Sequence, residues 1–284
     1  MQQGKPSFMA ETVAIFRAAH QLIDDEPRIL DDPLAVPIIG LGDDEPIEAR
    51  MQSLQQPYIK RARALVIARS RFTEDELVAS AARGVTQYVI LGAGLDTSAY
   101  RAPPEVAGMR ILEVDHPDTQ RHKLERLSAA GIEIPGNVRF AGADLNERAL
   151  PEVLSDDGFD TASPAFFSWL GVCCYLERAA VISLFEFIGS LAPGSQIVFD
   201  FLLADSALAP KNRDAISSAS KVGRSVGEPW ITAFIPEELE DELRAAGFSD
   251  ANYLGADVIN SRYLAGRSDG LIVDRAMPIM SAIV

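Results

Sequence analysis

Gln87-Tyr-Val-Ile-Leu-Gly-Ala-Gly-Leu-Asp-Thr-Ser-Ala-Tyr-Arg101 is the stretch on which the fold turns. Tyr88 to Leu91 is a short apolar run with aromatic and β-branched members, the pattern of a strand buried on both faces of a parallel sheet. It stops at Gly92-Ala93-Gly94, where the missing side chains let the backbone turn tightly and approach a ligand. Asp96 and Thr97 then offer caps for a short helix whose free N–H groups face the same crevice.

A glycine turn after a strand does not identify its ligand, but the next strand narrows it. Met109 to Asp115 is a second apolar run, with acids at Glu113 and Asp115, 21 and 23 positions beyond Gly92. An acid at that place can accept hydrogen bonds from ribose hydroxyls. The third glycine of a G-x-G-x-x-G pattern is absent, because Thr97 stands there. This disfavours NAD and suits S-adenosylmethionine, which has no pyrophosphate.

Leu91-Gly-Ala-Gly-Leu-Asp-Thr-Ser-Ala-Tyr-Arg101, Ile111-Leu-Glu-Val-Asp-His-Pro117 and Ala143-Asp144-Leu145 follow one another in an order that resembles the leucine carboxyl methyltransferase family. The resemblance is nearest to its bacterial branch of uncharacterised and polyketide-associated O-methyltransferases. Phe166-Phe-Ser-Trp-Leu-Gly-Val172 with Tyr175-Leu176 carries it further, as does Gly227-Glu-Pro-Trp230 with the segment to Phe248. It spans nearly the whole chain. It implies a doubly wound α/β fold, a mostly parallel seven-stranded sheet with a helical N-terminal cap. It also implies S-adenosyl-L-methionine as cofactor and no metal. Residues 1–84 would be the cap and 85–284 the Rossmann-like domain, with a substrate flap near 204–230.

The resemblance also assigns roles. Arg69, in Ala68-Arg69-x-Arg71-Phe72, takes the place of the arginine that holds the cofactor's methionine carboxylate; Arg17 would be a second cationic contact. Arg61, Arg63 and Arg71 on the same helix read as a solvated basic face or structural positions. Asp144 would take the adenine amino group while Leu145 packs on the ring. With Gly92, Gly94 and Asp115 these make up the expected cofactor site. Two departures stand out. Leu170 occupies the place of a family glutamate, and Asn146 replaces the arginine that receives a peptide carboxylate, which argues against a protein-phosphatase tail as substrate.

The bulk numbers fit. Apolar residues make up 48% of the 284, enough for a sizeable core, and the net charge of −15 disfavours nucleic acid and anionic membranes. Cys173 and Cys174 are adjacent and read as buried hydrophobes, not a disulfide. Without a signal-peptide pattern the expectation is a cytoplasmic protein acting on a small molecule; oligomeric state is not legible. Residues 1–7 read as disordered. Residues 204–227 read as a serine-rich linker without apolar periodicity, and the last two apolar segments as edge strands.

For catalysis, Tyr175 and His20 are the candidates. His20, His116 and His122 are the only histidines. A hydroxyl acceptor usually needs a base, whereas a carboxylate is already ionised at neutral pH. The expected reaction is therefore O-methylation of a small-molecule carboxylate. The alternatives are O-methylation of a phenolic or enolic hydroxyl of a polyketide-like metabolite, an NAD-dependent oxidoreductase, or a non-catalytic cofactor-binding protein.

Overall fold

The computed structural model describes residues 4, 6–40, 52–274 and 277–284. The loop expected over 41–46 and the start of the helix expected from 47 lie outside them. Among the described residues, α1 (Phe8–Ile23), α2 (Ala35–Ile39) and α3 (Pro57–Ala82) precede β1 (Gln87–Leu91). After it come β2 (Arg110–Asp115), α4 (Pro117–Ala129), β3 (Val138–Gly142), α5 (Leu150–Asp156), β4 (Ala165–Trp169), α6 (Arg178–Gly189) and β5 (Gln196–Asp200). The chain continues with α7 (Pro210–Ser225), α8 (Pro236–Ala245), β6 (Asp250–Leu254), α9 (Ala256–Ile259) and β7 (Ile279–Ile283). No helix is long and apolar enough to cross a membrane among the described residues.

The sheet runs β3-β2-β1-β4-β5-β7-β6. The first five strands pair in parallel, and β7 lies antiparallel between β5 and β6. The continuous apolar runs are explained by burial on both faces. Along β1, Val89 and Leu91 point to one core with Val181, Phe185 and Leu243 of α6 and α8. Tyr88 and Ile90 point to the other, where Ile67, Phe72 and Leu77 of α3 cover them. Both layers are buried, and parallel sheets occur almost only where both faces are so covered.

Three expectations are corrected. The stretch 204–227 is not a linker, because Pro210–Ser225 is helical, with proline at its start where the missing N–H costs nothing. Its apolar residues Ile216, Ala219 and Val222 step by three along one face. Of the two late strands expected at an edge, β7 is internal and β6 alone lies at the edge. And within the segment expected to be disordered, Gly4 and Ser7 are held: the Gly4 N–H donates to Asp118 Oδ2 at 2.9 Å and the Ser7 N–H to Thr119 Oγ1 at 3.3 Å, while residues 1–3 and 5 lie outside the described residues.

Candidate active site

A cavity of about 1150 Å³ opens at the C-terminal ends of the parallel strands. Strand order reverses between β1 and β4, and open α/β sheets bind ligands at that switch point. The turns after β1, β2, β3 and β4 supply Gly92, Gly94, Asp115, Asp144, Leu145 and Leu170 to its wall. α1, α3, α7 and the strap Gly227–Trp230 close the opposite side.

At one end the glycine turn is built around Asp115. Gly92 has φ +66°, and a β-carbon there would lie 2.2 Å from Val172 Cγ2, so the position excludes any side chain. The Gly94 N–H donates to Asp115 Oδ2 at 2.5 Å and the His116 N–H to Oδ1 at 2.6 Å. Burial pushes the Asp115 carboxyl up from its ordinary value, and these two backbone donors oppose that rise. Glu113, the other acid of this strand, does not reach the cavity. It is buried and ion-paired with Lys123 at 2.6 Å. Asp144 accepts from the Asn146 N–H at 2.9 Å and lines the cavity beside Leu145.

Beneath the turn lies a buried charge network. Arg17 donates to the Leu95 carbonyl at 2.5 Å and pairs with Asp32 at 3.3 Å and Asp96 at 3.7 Å. Arg101 pairs with Asp32 at 3.2 Å and with Glu74, and the Thr97 hydroxyl donates to Asp32 at 2.7 Å. Arg17 does line the cavity, but these partners occupy it in pinning the turn to α1 and α3. Burial would raise the Asp96 carboxyl, yet Arg17 and Lys123 bring it below its ordinary value.

Arg69 lies deep in the cavity wall, 5% exposed, and donates to Asp200 Oδ2 at 2.5 Å. Its neighbour Arg71 faces outward to Asp75. Arg63 is not part of a solvated face: it is fully buried and holds Asp24 through two hydrogen bonds of 2.9 and 2.7 Å.

Toward the mouth the lining turns apolar, with Val13, Phe16, Leu65, Ile216 and Val222. Tyr175 stands among them, and its hydroxyl accepts from Trp230 Nε1 at 3.1 Å. Burial pushes the phenol well above its usual value, so Tyr175 stays protonated and can donate. The strap that carries Trp230 also carries Glu228, whose carboxylate accepts from the Phe8 N–H (2.9 Å), the Met9 N–H (3.1 Å) and the Ser7 hydroxyl (3.2 Å). It thereby caps α1.

The geometry does not bring His20 to the cavity. Its ring is fully buried, with Nε2 accepting from the Ile29 N–H at 3.1 Å and Nδ1 facing Asp24 at 2.9 Å. Both nitrogens are engaged in holding the turn after α1. His116 lines the cavity, but beside Asp115, with Nδ1 accepting from the Asp118 N–H at 3.2 Å to cap α4. Burial raises both cysteine thiols, which fits buried hydrophobes.

Sequence reasoning gave no role to Asp200, Glu228 or Trp230. The acid ending Gln196-Ile-Val-Phe-Asp200 repeats the pattern of Ile111-Leu-Glu-Val-Asp115, and that was the available signal for it. Comparison with known proteins agrees with the geometry. Residues 10–189 match the family described as leucine carboxyl methyltransferase. "Putative S-adenosyl-L-methionine-dependent methyltransferase YktD" of Bacillus subtilis strain 168 is 31% identical, over 93% of this chain and 94% of its own length. Among solved structures, one described as "a putative methyltransferase" from Thermobifida fusca YX superposes with a TM-score of 0.58 at 18% identity, covering 99% of this chain and 96% of that one. A protein of the DUF574 family from Streptomyces avermitilis MA-4680 gives 0.58 at 15% identity, covering 87% and 94%. These two structures bear on the fold alone.

Proposed function

The chain belongs to the leucine carboxyl methyltransferase family and uses S-adenosylmethionine, and from that premise we propose that it methylates an oxygen of a small-molecule carboxylate. The cavity suits the cofactor on its own chemistry. At one end are a glycine cradle that a β-carbon would fill and a buried carboxylate at the ribose position; deeper in is an arginine with donors to spare. Asp115 would hold the ribose hydroxyls, Asp144 and Leu145 the adenine, and Arg69 the methionine carboxylate. When bound, the cofactor supplies an electrophilic methyl group on a sulfonium.

The protein's contribution to the reaction is placement and dryness. Apolar side chains around the mouth strip water from an incoming carboxylate, which raises its reactivity and selects acids with an apolar body. The Trp230–Tyr175 hydrogen bond leaves the Tyr175 proton free to point into the cavity. It would bind one oxygen of the acceptor and orient the other. The observation that carries the reading is this pairing of a protonated tyrosine with an apolar end where no described histidine serves as base. A phenol or enol acceptor usually needs a base, most often histidine.

The test uses the protein with methyl-labelled cofactor and a matched panel of apolar carboxylic acids and phenols. Label released as methanol by mild alkali supports the ester, since aryl methyl ethers survive that treatment. Alkali-stable product from the phenols alone would overturn the reading. The pH profile is a second check: rate should be flat from neutrality upward, falling only toward the carboxylate range near 4.

A further inference from the structure

Leu170 stands where the resemblance implies a glutamate, yet a carboxylate is present next door. Trp169 of β4 pairs with Phe199 of β5, so the residues that follow, Leu170 and Asp200, lie side by side at the strand ends. The Asp200 side chain is wholly shielded from solvent and does not line the cavity, so it cannot touch a ligand there. Both of its oxygens are used. Oδ2 accepts from Arg69 Nη1 and Oδ1 from the Gly171 N–H, each at 2.5 Å.

These two partners also touch each other. Gly171 has φ +72°, and a β-carbon built on it would lie 2.8 Å from Arg69 Nη2 and 3.2 Å from Nη1. The guanidinium therefore rests on the face of this glycine while Asp200 grips it from one side. Arg69 Nε is buried without an acceptor, and no described group accepts from Nη2. The donors on Nε and Nη2 are thus unmet; Nε is shielded, and Nη2 is the nitrogen left to meet a carboxylate oxygen from the cavity.

We propose that Asp200 is a positioning residue for the cofactor, locking Arg69 and the Gly171 turn together so that the uncommitted Nη2 of Arg69 meets the methionine carboxylate. This rests on the reading of Arg69 given above. An arginine side chain loses considerable rotamer freedom when fixed, and a ligand that finds it already fixed does not bear that cost. Asparagine at 200 would be isosteric but neutral. Its amide must present NH₂ to one of the two donors, so either Arg69 or the Gly171 turn is released.

The experiment compares two ligands by calorimetry: S-adenosylhomocysteine, and methylthioadenosine, which lacks the amino-acid tail. Asp200→Asn should weaken the first by about tenfold or more and the second by less than about threefold, the scale of a lost charge-assisted hydrogen bond. In an Arg69→Ala background, adding Asp200→Asn should change nothing further, because the route runs through Arg69. Gly171→Ala displaces the same guanidinium from its other side and should show the same ligand dependence, which keeps the question open to test if Asp200→Asn fails to fold. Equal losses for both ligands, or losses that add independently of Arg69, would overturn the proposal and leave Asp200 a purely structural residue. If the unmodified protein binds the two ligands equally, the reading of Arg69 fails first and this one with it.

Discussion

Replacing Glu228 with alanine removes the acceptor for three donors at the start of α1, the Phe8 and Met9 amides and the Ser7 hydroxyl. The carboxylate is 8% exposed, while Phe8 is 48% exposed, so water can reach the freed amides once the latch is gone. That rules out the full penalty of buried unmet donors. What is lost is one good cap, about 1 kcal/mol, and the favourable charge at a helix N-terminus, about 1 kcal/mol more in a partly buried site. The sum, about 2 kcal/mol, should lower Tm by roughly 3 °C in a chain of this size. Ser7 still caps α1 through the Ala10 N–H at 3.1 Å, so the helix frays without unfolding. Glu228→Gln keeps an acceptor oxygen and should lose about half as much. Calorimetry gives the Tm, and hydrogen exchange at the amides of residues 8–10 locates the effect. The same residues line the cavity, so S-adenosylhomocysteine affinity should fall in step. An unchanged Tm with unchanged exchange at Phe8 and Met9 would show that the latch holds nothing.

Arg63→Ala leaves Asp24 buried and half-paired, and should cost about 3–5 kcal/mol in denaturant unfolding while the folded fraction keeps its cofactor affinity. Burial raises the Asp24 carboxyl, but His20 and Arg63 more than offset this and hold it below its ordinary 3.8. The stability it brings is therefore fully present above that value and fades as pH falls through the lower folded one. Asp24→Asn should then be clearly less stable than the unmodified protein at neutral pH, with the gap narrowing in acid. Gly92→Ala, facing both a positive φ and Val172, should abolish S-adenosylhomocysteine binding at concentrations that saturate the unmodified protein, as calorimetry would show.

The first half of the sheet was legible because its signals are local. The runs Tyr88–Leu91 and Ile111–Asp115 are continuous, the glycines sit between them, and the acid that meets the turn is 21 residues from Gly94. Asp144 and Leu145 came from the family resemblance and not from the strand pattern, and the fold brings both to the same cavity wall. The parts that escaped are those settled by distant partners. His20 looks available as a base until its ring is seen between Asp24 and the Ile29 amide. Glu228 acts on an amide 220 residues away, and Asp200 on an arginine 131 away. α7 escaped because serines crowd it and a three-residue apolar step makes a narrow stripe. β6 and β7 each read as an edge, since nothing local says which of two late strands slides between its neighbours.

That late insertion governs how the protein can be made. β6 has no sheet partner but β7, and the β5 edge stays open until residues 279–283 arrive. On the ribosome the five parallel strands can assemble early, but they must wait with an unprotected flank for β7. An open edge of this kind pairs readily with another copy. Chains halted before Ile279 should therefore be recovered as aggregates and not as a smaller stable domain.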